Sequence, residues 1–180
     1  TESADDELIH HTAIRNSGWD GHVITAFRPD SVMNIDSGEW KQEIKKLSIS
    51  SGINIDSYKS FLHAIENRRE FFKTMGATST DQGVITPYTG RVSDSLADEI
   101  FQRALKSNLN QDDQEIFIGH MLMEMARMST EDGLVMQIHA GSRRNHNQFI
   151  FNRFGPDKGA DIPVKTDFTN NLHSLLNEFG

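Results

Sequence analysis

Hydrophobic positions along this chain alternate between strand-like runs and helix-like spacings. Asp5 to Ser17 has a helical composition, with Leu8, Ile9, Ala13 and Ile14 as a modest apolar stripe and Gly18 at its end. His22-Val23-Ile24-Thr25-Ala26-Phe27 is a β-branched run closed by Arg28-Pro29-Asp30, where proline pushes its predecessor out of the helical region; it predicts a strand followed by a loop. Ser57 then caps a longer helix that carries Tyr58, Phe61, Leu62, Ile65 and Phe72 on one face and stops at Gly76. Ala77 to Val84 predicts a second strand, with Asp81-Gln82-Gly83 as the loop at its carboxyl end. Further helices are expected from about Asp94 to Ser107, with Leu96, Ile100, Ala104 and Leu105 inward, and from Gln111 to about Ser129. One more amphipathic helix is expected around Phe168, Leu172, Leu175, Leu176 and Phe179, after a turn at Phe154-Gly155-Pro156-Asp157-Lys158-Gly159.

Between these lies Val135-Met136-Gln137-Ile138-His139-Ala140-Gly141-Ser142-Arg143-Arg144-Asn145. It reads as a short buried strand that stops at a histidine and opens into a donor-rich loop. A rigid strand end fixes an imidazole, and small residues after it let backbone pass close to a ligand. Strands separated by helices form a parallel sheet, and successive crossovers bring the carboxyl ends to one side. Arg28, Asp81 and His139 are therefore expected on one rim.

Composition narrows the classes. The 180 residues are enough for one domain, and 18 basic against 26 acidic side chains leave a net charge of -8, which disfavours nucleic acid and anionic lipid as partners. Absence of cysteine removes disulfides and thiolate chemistry. No apolar run approaches the roughly 18 residues of a membrane span, so a cytoplasmic location is expected. The chain opens on Thr1-Glu2-Ser3-Ala4-Asp5-Asp6 without an initiator methionine and reads as a middle portion of something larger.

Each candidate has an ordinary structural reading as well. A histidine at a strand end is more often a satisfied polar residue than a catalyst. Arg28 fits a clamp on a neighbouring carboxylate as well as a substrate contact, and Asp81 before Gln-Gly fits a turn former. Arg143 and Arg144 point in different directions, so at most one enters a site. His10 and His11 project about 100° apart on a helix and cannot chelate one metal from one face. Met121, Met123, Met125 and Met128 fit core filling, with His120 at the same interface. There is no H-x-H, H-E-x-x-H, P-loop or G-x-S-x-G motif.

Phe27-Arg28-Pro29-Asp30, Thr80-Asp81-Gln82-Gly83, the Gly133 to Asn145 run and Phe154-Gly155-Pro156-Asp157 together resemble the corresponding stretches of bacterial uronate (glucuronate) isomerases, of the amidohydrolase superfamily. Four motifs in the right order, spanning almost the whole chain, make the resemblance specific where any one alone would be weak. It implies an α/β fold, a partial (β/α)8 TIM-like barrel with a largely helical insertion. Such a barrel needs about 250 residues, so residues 1–180 correspond to a central fragment, with about 31–130 as a helix-rich crossover within it.

The implied activity is aldose–ketose isomerisation of D-glucuronate to D-fructuronate, and of D-galacturonate to D-tagaturonate. By this resemblance Arg28 and Arg144 bind substrate, while His139 and Asp81 are catalytic. His139 is alternatively a ligand to a divalent metal such as zinc, whose other ligands lie outside the chain. Gln82 stands where the family commonly has histidine, and Ser142-Arg143 replaces a small or apolar pair. The residue types suit this chemistry, since arginine grips a carboxylate with two charge-assisted hydrogen bonds and histidine exchanges protons near neutral pH. The expected partner is a small hexuronate. A partial barrel exposes sheet edges, which implies a homo-oligomer or association with the rest of the barrel, and the isolated chain is expected to be inactive. Two alternatives use the same residues, a metal-dependent amidohydrolase-type hydrolase and a non-catalytic sugar-acid binding module. Tight stoichiometric zinc with amide or ester turnover marks the first, and a gene lacking the flanking H-x-H and aspartate marks the second.

Overall fold

A computed structural model describes residues 1–180. Four strands lie side by side, all parallel and in sequence order: β1 (Glu2–Ser3), β2 (Ala26–Arg28), β3 (Ser79–Val84) and β4 (Val135–Ala140). Helix α1 (Ile9–Asn16) joins the first two strands. Helices α2 (Asp30–Met33), α3 (Trp40–Ser51) and α4 (Tyr58–Thr74) form the next crossover, and α5 (Asp94–Leu105) and α6 (Asp113–Asp132) the last. Residues 31–130 are thus mostly helical, interrupted by β3. A small hairpin of β5 (Ser142–Arg143) and β6 (Ile162–Pro163) follows, enclosing α7 (Gln148–Phe154), and α8 (Phe168–Asn171) and α9 (His173–Phe179) end the chain. No helix is long and apolar enough to cross a membrane.

Register decides which side chains share a face. Phe27 pairs with Thr80 and Thr80 with Met136, so these lie on one side of the sheet, whereas Arg28, Asp81 and Gln137 lie on the other. The first side is covered: Phe27, Thr80 and Gln82 are fully buried. Phe27 meets Phe72 of α4 edge to face, with ring centroids 5.2 Å apart. The core continues outward between helices, where Trp40 and Phe61 both pack on Phe101 at 5.4 and 5.3 Å.

Two adjacent arginines on α4 hold this layer to the strands. Arg69 is 1% exposed; its Nε–H and Nη2–H donate to the two carboxylate oxygens of Asp132 at 2.6 and 3.0 Å, and Nη2–H also reaches Ser129 Oγ. Asp132 accepts in turn from the Leu134 N–H, which fixes the entry into β4. Arg68 donates to the carbonyls of Ala4, Asp6 and Ser50, joining the β1–α1 link and α3 to α4. Burying guanidinium is costly unless its donors are met, and here each ion has several acceptors.

Local signals explain the helix limits. Ser57 and Ser60 form a reciprocal capping box at the start of α4, and Gly133 takes φ +78° to end α6, a conformation that favours glycine. The expected helices at 57–76, 94–107 and 111–129 are thus found with ends shifted by a few residues. Met121, Met123, Met125, Met128 and His120 are buried as expected.

Several expectations need correction. The α1 stripe is not buried: Ile9 and Ile14 are exposed, and only Leu8, just ahead of the helix, enters the core. The strand expected at His22–Phe27 is β2, Ala26–Arg28, because no neighbouring strand runs beside residues 22–25. Asp81-Gln82-Gly83 is not a loop. It belongs to β3 and pairs with Gln137, Ile138 and His139, since a partner ladder outweighs the turn tendency of Asp and Gly. Nor is β4 buried; like the strands beside it, it is covered by helices on one face only, and Val135 on the open face is 63% exposed. The last helix is two short ones that meet at Leu172. Helix α3 is an addition to the expected elements, although Trp40, Ile44 and Leu47 have helical spacing and Gly52 caps its end at φ +69°.

Arg103 links α5 to Asp113 at the start of α6 through two hydrogen bonds of 2.8 and 2.7 Å. Hydrogen bonding from Arg103, then the Asn110 N–H, holds the Asp113 carboxyl below the ordinary carboxylate range against the effect of burial. Its folded value being depressed, the pair's stabilisation is complete above the unfolded carboxylate value and disappears as pH falls through the folded one. Asp113→Ala is therefore expected to cost about 2 kcal/mol at neutral pH and to flatten the loss of stability below about pH 4, as read from urea unfolding midpoints of the intact protein. Equal midpoints for both proteins across that range would contradict the assignment.

Candidate active site

The carboxyl ends of β2, β3 and β4 bring Arg28, Asp81 and His139 together on the uncovered face. Arg28 stands level with Asp81 because Phe27 pairs with Thr80 one residue earlier. His139 stands level with Gly83, two residues beyond Asp81. Gly83 has no side chain, so the imidazole can lie back across it to reach the Asp81 carboxylate. His139 Nδ1–H donates to Asp81 Oδ1 at 2.5 Å. A methyl group on Gly83 would sit 2.6 Å from His139 Nε2 and 2.8 Å from both Arg28 Nη2 and Asp30 Oδ2, so three functional atoms converge over a glycine Cα.

Arg28 lies between two carboxylates. Its Nε–H donates to Asp30 Oδ2 at 2.7 Å, and Nη1 is 3.7 Å from Asp81 Oδ2. Arg28 Nη2 lies 3.4 Å from His139 Nε2. Guanidinium has only donors to offer, so that contact suits an imidazole whose proton is on Nδ1 and whose Nε2 lone pair is free. The Asp81 hydrogen bond selects the same tautomer, leaving Nε2 without a proton.

Asp30 joins the cluster, a placement that sequence reasoning does not reach. The pairing of β2 with β3 ends at Phe27 and Thr80, leaving the Gly83 N–H without a strand partner on that side, and both oxygens of Asp30 accept it at 3.0 and 3.2 Å. Burial pushes the Asp30 carboxyl above its ordinary value, opposed by the Gly83 N–H and by Arg28. The available signal is the spacing Arg28-Pro29-Asp30, which turns a carboxylate back toward its own arginine.

Arg144 is not joined to this cluster by any hydrogen bond or ion pair. It lies beyond β5, where its Nη1–H donates to Asp157 Oδ1 at 3.3 Å in an exposed pairing. The Phe154-Gly155-Pro156-Asp157 turn folds back on this loop, and the Asp157 N–H donates to Asn145 Oδ1 at 2.9 Å. Gln82 faces the covered side, donating to Thr80 Oγ1, and so lies away from the site. No group of three or more histidine, cysteine or acidic side chains converges in the chain. These residues do not by themselves compose a metal centre.

Parallel strands covered by helices on one face, with an arginine, a carboxylate and a histidine at their carboxyl ends, are the arrangement of a segment of an α/β barrel with a candidate site on its rim. All 180 residues match the profile of the family described as glucuronate isomerase, and the chain belongs to that family. It is 52% identical over its whole length to the uronate isomerase of Nostoc punctiforme and 46% identical to that of Phenylobacterium zucineum, covering 38% of each. Superposed on the crystal structure of glucuronate isomerase from Caulobacter crescentus it gives a TM-score of 0.94 at 45% identity, covering 99% of this chain and 37% of that one. The uronate isomerase of Thermotoga maritima gives the same TM-score at 26% identity, with 99% and 40% covered. The fold is thus a partial (β/α)8 barrel, and the chain spans about two fifths of the length of these relatives.

The close approach over Gly83 is open to test. Gly83→Ala in the intact protein is expected to cost about 1–3 kcal/mol through overpacking and to shift the imidazole resonances of His139. A His139 spectrum identical to wild type would refute the contact.

Proposed function

We propose that this chain supplies part of the active site of a uronate isomerase that interconverts D-glucuronate with D-fructuronate, and D-galacturonate with D-tagaturonate. The observation that carries the reading is the Arg28–Asp81–His139 cluster at the strand ends, in a chain whose relatives bear that name. The net reaction moves hydrogen from C2 to C1 of the open-chain sugar acid and a proton from O2 to O1. Two needs follow, a base for the C2 hydrogen and positive charge for the enediolate oxygens.

His139 Nε2 meets the first need. Its ring is oriented by Asp81, whose carboxylate also stabilises the imidazolium formed when the C2 proton arrives. Return of that proton to C1, with the O2 proton passing to O1 across the enediol, completes the transfer. The Nη1 and Nη2 hydrogens of Arg28 meet the second: Asp30 occupies the Nε side, and the longer contacts of Nη1 with Asp81 and Nη2 with His139 leave donors for an oxyanion or carboxylate.

Arg28, Asp30 and Asp81 contribute one positive against two negative charges, so an anionic substrate needs a further cation. Arg144 is the candidate for the substrate carboxylate, since an exposed pairing such as that with Asp157 contributes under about 1 kcal/mol and yields readily to a better partner. The uncovered sheet face, where Val135 is exposed, is then closed by the remainder of the enzyme or by a second subunit, which complete the site.

The test is turnover by the intact enzyme. His139→Gln is expected to lower kcat for glucuronate by about 10²–10⁴-fold, and Arg28→Lys to weaken glucuronate binding in calorimetry along with turnover. Unchanged affinity and turnover in Arg28→Lys would remove its role. The isolated 180-residue chain is expected to show no isomerase activity, and a normal enzymatic rate from it would overturn the view that the site is shared with the rest of the protein.

A further inference from the structure

We propose that Asp30 is the positioning residue of this site: its carboxylate sets the direction of the Arg28 guanidinium and ties it to the β3 backbone at Gly83. The inference rests on the reading that Arg28 and His139 act on a hexuronate. Arginine has a long, freely rotating side chain, and something must hold its planar end still if it is to meet an oxyanion as it forms. The contacts of Arg28 with Asp81 and His139 are long, at 3.7 and 3.4 Å. The 2.7 Å bond from Nε–H to Asp30 is the short one, and it fixes the plane and the outward direction of the fork.

Asp30 is itself held. Two residues after Arg28, beyond Pro29, it begins α2, and its oxygens accept the Gly83 N–H at 3.0 and 3.2 Å. One carboxylate therefore connects the last residue of β2 to the β3 position over which Arg28 Nη2 and His139 Nε2 converge. Displacing it would release the arginine and change the distance between that arginine and the base. Asp81 holds Arg28 less closely, since its Oδ2 lies 3.7 Å from Nη1 while its Oδ1 accepts from His139.

Asp30→Asn separates this role from a purely structural one. The amide has one acceptor oxygen in place of two and no charge: with that oxygen at the Oδ1 position it keeps the Gly83 N–H and turns a donor to Arg28, and at the Oδ2 position it meets Arg28 only as a neutral acceptor while turning a donor to Gly83. In the intact enzyme the variant is expected to retain its circular dichroism and lose about tenfold or more in kcat/KM for glucuronate. In an Arg28→Lys background the same substitution is expected to add less than about a twofold loss, since its effect passes through the guanidinium. Losses that multiply independently would overturn the proposal. If Asp30→Asn does not fold, Asp30→Glu keeps the charge but moves it by one methylene, and the same cycle applies.

A wild-type enzyme without uronate turnover would defeat the functional reading alone. The positioning role then stands or falls on the Arg28 Nε–H resonance in protein labelled with ¹⁵N-arginine and assigned through Arg28→Lys. It is expected to move upfield and exchange faster with solvent in the variant; an unmoved resonance overturns the inference.

Discussion

Parallel pairing of β2, β3 and β4 in one fixed register is the constraint on which everything else depends. A slip of one residue would turn Asp81 toward the helices and Gln82 toward the open face, since side chains alternate along a strand. In the observed register Thr80 and Gln82 are buried beneath the helices while Arg28, Asp81 and His139 stand together. The same register puts Gly83 opposite His139, and a hydrogen where a side chain would otherwise stand lets imidazole reach carboxylate. The pairing thus fixes burial on one face and chemistry on the other at once.

Helices maintain that register from behind. Phe27 is gripped by Phe72, and Arg69 on the same helix anchors Asp132 just before β4 begins. Arg68, one residue away, holds the connection after β1 and the end of α3. Two cations side by side on α4 therefore position strands on both sides of β3. Their long stems also let charge reach backbone and carboxylate acceptors from within an apolar layer. The rim inherits its geometry from these contacts, although none of them touches it.

Much of this was legible in the chain. Helix α4 announced itself by a serine cap, an apolar stripe and a terminal glycine, signals that act within a few residues and need no distant partner. The grouping of Arg28, Asp81 and His139 followed from alternating strands and helices, because parallel crossovers return every carboxyl end to one side. Less accessible were the limits of β2 and the place of Asp81-Gln82-Gly83 inside β3. Those depend on which residues find a ladder partner, and local propensity for turns at Asp and Gly points the other way. The apolar run of β4 misled for a related reason: a sequence shows that residues are apolar, whereas the packing of helices decides whether both faces of the sheet are covered.

The sequence by itself determined the alternation of elements, the family through four ordered motifs, and the identity of three rim residues, since each is written in short-range spacing. Tertiary structure alone decided that Asp30 turns back onto Arg28 and Gly83, that Arg144 pairs with Asp157 apart from the cluster, and that Gln82 faces the helices. These outcomes depend on strand register and on contacts between residues as much as 53 positions apart, as between Asp30 and Gly83. A carboxylate chooses its partner by distance and direction in space, and neither is fixed until the sheet has formed.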